Sequence, residues 1–212
     1  MRDMAILLAL IAVGFILLIA EYLARYTSMH SELTRKFVHM CVGTFVAFWP
    51  FFLSWHEIEL LSIAFLLVIV ISIRVTAFKA IHTSPSRAIG EICFAVVIGL
   101  LALISTTKWI FMASMLSLSI GDALAAIVGV MWGESTKYKV FGKTKSVLGT
   151  ATFFVVSVAI MMTYVHFSPD SAGFVTLFLV PVLATLTENV AFNGTDNLIM
   201  PLLIALVLGS AA

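Results

Sequence analysis

The chain has 212 residues, of which 62% are hydrophobic and only 11% charged, and its mean hydropathy is +1.14. Soluble domains sit nearer roughly 45–50% apolar and about 25% charged, so water is excluded as the main solvent. A formal net charge of +1 carries no basic footprint for nucleic acid, and charge placement matters more than charge total.

In chain order, the apolar stretches predict an all-α, polytopic bundle of about eight membrane spans, with roughly seven to nine compatible with the pattern. They fall at 4–24, 36–53, 58–78, 89–104, 109–131, 147–167, 173–187 and 198–210. The first exceeds the roughly 7–15 residues of a secretory h-region, and no small-x-small cleavage site follows it. It reads as a span. No soluble domain, linker or repeat interrupts the series, so residues 1–212 read as a single membrane domain.

The second span opens with Arg35, Lys36, His39 and Gly43, at steps of three to four residues that share one helical face. Arg87 and Glu91 stand four apart around Gly90 at the start of the fourth span, where a local ion pair is the simpler reading. Asp122 lies in the fifth, flanked by Gly121 and Gly129, which permit close packing or a local break. An ionised carboxylate there costs roughly 2.5–3.5 kcal/mol on insertion scales unless a partner or metal compensates, which marks it as functional. Cys41 and Cys93 lie in apolar segments without CxxC spacing and read as reduced packing residues.

The polar connection 132–146 holds Lys137, Lys139, Lys143 and Lys145 with hydroxyls and glycines. Ammonium groups and glycine backbones suit phosphate, although a basic loop is common on the cytoplasmic side and this one is no Walker A. Ser146 is placed to cap the next helix, and Gly149 follows in its first turn. Before the last span, Glu188, Asn193, Asp196 and Asn197 bring carboxylates and amides together. Carboxylates in addition to Asp122 suit Mg²⁺, which takes one or two of them plus phosphates and waters.

Ten of the twelve Lys and Arg residues fall in alternate loops, and only Arg2 and Lys108 oppose them. Cytoplasmic retention of those loops predicts both termini on the non-cytoplasmic side. Nearly every polar group then shares the cytoplasmic face. A transporter for a small anion, the competing class, would line a path through the midplane instead.

Taken together, Arg35-Lys36-x-x-His39, Arg87-x-x-Gly90-Glu91, Gly121-Asp122-Ala123 with Gly129 and Gly133, Lys145-Ser146-x-x-Gly149-Thr150, and Asp196-Asn197 with Pro201 resemble the CTP-dependent polyprenol kinase family. That family includes dolichol kinase, phytol kinase and a CTP-dependent diacylglycerol kinase. The resemblance implies transfer of the γ-phosphoryl group of CTP to a lipid alcohol. On that basis Asp122, Asp196 and Glu91 are expected to serve Mg²⁺. Arg35, Lys36, Arg87, Lys143, Lys145, Ser146, Gly149 and Asn197 are expected to meet the nucleotide. Glu188 is the expected base, Asp122 its alternative, and His39 completes the pocket wall. Leu148 departs from the family pattern, which has an acid there. Phosphatidate cytidylyltransferase is also similar in the Asp-to-Lys-Ser-x-x-Gly stretch, but its terminal His-Gly-Gly and Asp-Arg-x-Asp signature is missing here.

Overall fold

A computed structural model of the chain describes residues 2–26, 31–75, 85–168, 173–191 and 194–211. The apolar stretches fold as helices: α1 (Arg2–Tyr26), α2 (Ser31–Ala47), α3 (Trp55–Val75), α4 (Pro85–Ile104), α5 (Lys108–Leu116), α6 (Asp122–Trp132), α7 (Val147–Phe167), α8 (Val180–Val190) and α9 (Asp196–Ala211). The all-α expectation therefore holds, with one short hairpin added. Lys79 and Asn193 lie outside the described residues, as do the side chains of Arg25, Arg74 and Arg87.

The stretch expected at 36–53 stops early as an α-helix. Pro50 has no N–H to give an α-helical ladder, so α2 ends at Ala47 and the chain turns through a 3₁₀ segment, Trp49–Phe51. The stretch at 109–131 is continuous but not uniform: α5 passes through a π-helical turn, Ser117–Gly121, into α6. That composite helix is the centre of the bundle, since 72% of its apolar window is buried against 28% for α3 and 33% for α7.

Among the described residues, three segments, Trp55–Ile73, Lys108–Trp132 and Val147–Phe167, are long and apolar enough to cross a bilayer. Ile6–Ile16, Ala88–Ile104, Val175–Val190 and Asp196–Ser210 are apolar but shorter. Leu8, Ile11, Phe15 and Leu18 on α1, with Ile63, Leu67 and Ile71 on α3, point outward and are exposed. Helices that are apolar on their outer faces as well as their inner ones suit hydrocarbon as solvent. Cys41 and Cys93 are free and half-buried, in keeping with packing residues.

The polar connection at 132–146 is more ordered than its lysine run suggests. Strands β1 (Lys137–Val140) and β2 (Lys143–Ser146) form an antiparallel hairpin in which Tyr138 faces Lys145 and Lys139 faces Thr144. Phe141 (φ 45°) and Gly142 (φ 81°) both have positive φ, as a primed two-residue turn requires. Asn-Gly or Asp-Gly would have announced such a turn in the sequence; Phe-Gly does not.

Close approach of α2 to the π turn fixes the interior of the site. A Cβ on Gly43 would stand 2.5 Å from Ser119 Cβ, so only glycine lets these backbones meet. Gly43→Ala is expected to lower stability by roughly 1–3 kcal/mol through overpacking, read as the unfolding midpoint in detergent. An unchanged midpoint would show that the contact tolerates a methyl group.

Candidate active site

A cavity of about 650 Å³ opens where α2, α4, α6, the hairpin, α7, α8 and α9 meet. One wall is charged, with Arg35, Lys36, Asp122, Lys143, Lys145, Glu188 and Asp196. Along α6 the lining beyond Asp122 is small and apolar: Ala125, Ala126, Gly129 and Val130 follow it at helical spacing on the same face. Residues distant in sequence thus share one chamber.

Its deepest polar contact is a buried ion pair between Lys36 and Asp122. The contact follows from the packing just described. Lys36 lies two turns before Gly43 on α2, and Asp122 lies three residues after Ser119, so docking Gly43 on Ser119 sets ammonium beside carboxylate. Arg35 and His39 also lie within electrostatic reach of Asp122. His39 itself stands outside the cavity lining. Its ring packs on Phe94 with centroids 4.5 Å apart and lies close to the backbone of Leu118 in the π turn. π turns free backbone groups from the regular ladder and often accompany functional sites. Here His39 braces the turn that carries Asp122.

The second ion pair joins the hairpin to α8. Lys145 Nζ donates to the Glu188 carboxylate and, at 3.0 Å, to the Glu188 carbonyl at the end of that helix. Lys143 Nζ reaches the Ala191 carbonyl at 3.5 Å. Tyr138, opposite Lys145 across the hairpin, donates to Asn189 Oδ1 at 2.6 Å and lies 2.6 Å from Thr150 Oγ1. Three elements are therefore tied around one lysine. Sequence reading gave Tyr138 and Asn189 no role, and Thr150 only a place in a motif, because the register that aligns Tyr138 with Lys145 appears only once the hairpin is recognised.

Ser146 caps α7 as expected, accepting from Gly149 N–H at 3.0 Å. A Cβ on Gly149 would lie 2.8 Å from the Ala125 carbonyl, and one on Gly129 would lie 2.8 Å from Ser146 Oγ. These glycines bring the start of α7 against α6, which carries Lys145 to the cavity. On the opposite rim, Asn197 Nδ2 donates to the Gly90 carbonyl at 2.8 Å and ties α9 to α4. A Cβ on Gly194 (φ 86°) would sit 2.4 Å from Gly90 Cα.

Of the residues singled out in sequence, Arg35, Lys36, Asp122, Lys143, Lys145, Ser146, Gly149, Glu188, Asp196 and Asn197 line the cavity. Glu91 is half-buried on α4 outside that lining, and the side chain of Arg87 is outside the described residues. Among the described residues, no three His, Cys, Asp or Glu side chains converge as a ready-made metal cage. Mg²⁺ does not require one, since substrate phosphates and waters usually supply most of its ligands. The oxygens present suit such an ion: Asp122 and Glu188 reach the cavity, and Asp196 Oδ1 is buried with no hydrogen-bond partner among the described residues.

An apolar helical bundle with a cation-rich, carboxylate-bearing chamber belongs to the class of membrane-associated proteins that handle anionic groups beside lipid. No protein-family profile matches the chain, and no solved structure matches it. It is 31% identical over 213 aligned positions to a phytol kinase from Synechocystis sp., an alignment covering 96% of this chain and 89% of that protein. The chain belongs to the polyprenol and phytol kinase family, phosphotransferases that act on lipid alcohols.

Proposed function

We propose that this protein is a multi-pass membrane kinase that transfers the γ-phosphoryl group of CTP to a prenol such as phytol, with dolichol-type alcohols or diacylglycerol as further acceptors to test. The observation that carries this reading is the cavity itself. It joins five cations, Arg35, Lys36, Lys137, Lys143 and Lys145, to the carboxylates of Asp122, Glu134, Glu188 and Asp196, with an apolar surface alongside. A triphosphate needs the cations, and a lipid bearing one hydroxyl needs the apolar surface.

In this reading residues 1–212 form one domain of about eight spans, its termini on the non-cytoplasmic side and the cavity on the cytoplasmic face. The bias of Lys and Arg toward alternate loops supports that orientation. Lys143, Lys145 and Arg35 bind phosphate oxygens, with Ser146 and Gly149 beside them at the start of α7. Lys36 and His39 hold the wall behind Asp122, while Asn197 fixes the rim.

Asp122 and Asp196 are the residues that would hold Mg²⁺, with Glu91 the more distant candidate. An ion held there would supply neutralisation of charge on the transferring group. Glu188 orients the lipid hydroxyl and takes its proton as the oxygen bonds to the γ-phosphorus and the bond to the β-phosphate oxygen breaks, releasing CDP. Binding of phosphate by Lys145 frees Glu188 for that proton. The lipid tail stays against Ala126 and Val130.

Purified protein with Mg²⁺ and γ-labelled CTP is expected to label a prenol. Label entering lipid from the α position, with pyrophosphate released, would instead identify a cytidylyltransferase. Labelling by γ-ATP at equal efficiency would overturn the nucleotide preference alone.

A further inference from the structure

Toward its tip the hairpin carries two residues that the chemistry above leaves unused. Lys137, Lys143, Thr144 and Lys145 line the cavity, whereas Lys139 and Phe141 do not. Phe141 is 81% exposed at the tip, and its φ of 45° is a conformation that glycine, asparagine or aspartate adopts more readily than a bulky aromatic. A large apolar ring held in water at a strained turn is costly on both counts.

Where the tip lies follows from the contacts that pin the hairpin. Tyr138 meets Asn189, Lys145 meets Glu188, and Lys143, next to the turn, reaches Ala191 just past the end of α8. The strands therefore run along the last turn of α8 and carry the turn to the C-terminal end of that helix. Along α8, Val182, Leu186 and Val190 recur every four residues and are exposed. That strip faces outward, away from the cavity.

We infer that the hairpin tip docks on the bilayer surface beside α8, with Phe141 inserted at the headgroup boundary and Lys139 on anionic phospholipid headgroups. The inference rests on the membrane placement proposed above, and it adds a lipid contact separate from the substrate. Aromatic rings belong at this interface, and each nearby Lys is attracted by anionic lipid. Docking there holds the hairpin level with the hydrocarbon edge, so that Lys143 and Lys145 stay over the hydroxyl of an embedded alcohol.

The test places a cysteine at the tip, Phe141→Cys, in a Cys41→Ala, Cys93→Ala background of the full chain, and attaches an environment-sensitive fluorophore. In lipid nanodiscs its emission is expected at short wavelength and quenched by headgroup-proximal spin-labelled lipid, more strongly with phosphatidylglycerol than with phosphatidylcholine alone. Lys139→Glu is expected to abolish the dependence on lipid charge. Water-like emission without quenching overturns the docking, and quenching indifferent to lipid charge overturns the role of Lys139. CTP binding by the same labelled protein is read separately, so a failed kinase reading leaves the fluorescence result interpretable.

Discussion

Asp122→Asn is expected to lower phosphoryl transfer on the order of 10³-fold or more, because catalysis of this kind is almost wholly alignment and charge neutralisation around the moving phosphate. The same substitution leaves Lys36 buried without its counter-ion. Removing one member of a buried pair typically costs roughly 3–5 kcal/mol, so a fall in the unfolding midpoint should accompany the loss of activity. The two effects separate in the double variant Lys36→Met, Asp122→Asn. It removes both charges and should regain most of the stability while staying inactive in the γ-label assay. Recovery of turnover in the double variant would mean that the pair serves folding alone.

The second large effect concerns the other pair, where the partners have different duties. Lys145→Met should weaken CTP, raising its KM by roughly ten- to hundredfold, the range of one lost hydrogen bond to a charged group. Glu188→Gln should instead leave the KM for CTP close to wild type and depress kcat by about 10²–10⁴-fold, as loss of a general base does. Equal effects on both constants from the two variants would reduce Lys145–Glu188 to a clasp between hairpin and α8.

Much of this was legible before folding. Intramembrane aspartate is costly enough that Asp122 announced itself, and Ser146 three residues before Gly149 is a local capping signal that needs no tertiary knowledge. The shared face of Arg35, Lys36 and His39 was likewise readable from helical spacing. It was less clear that His39 would turn from the cavity to brace the π turn, since a π turn leaves no periodic trace in the sequence. The hairpin was hidden for a different reason: strands of four residues with lysine at alternate positions look like a solvated basic loop. With it went Tyr138 and Asn189, whose meeting with Thr150 depends on a register set by long-range contact.

Equilibrium binding of CTP in the presence of Mg²⁺, measured on nanodisc-embedded protein without any lipid acceptor, tests the central claim most directly. Wild type is expected to bind saturably, and Arg35→Met with Lys143→Met in one chain to lose that binding while remaining folded. Undiminished CTP affinity in the folded double variant would place the nucleotide somewhere other than this cavity and contradict the account.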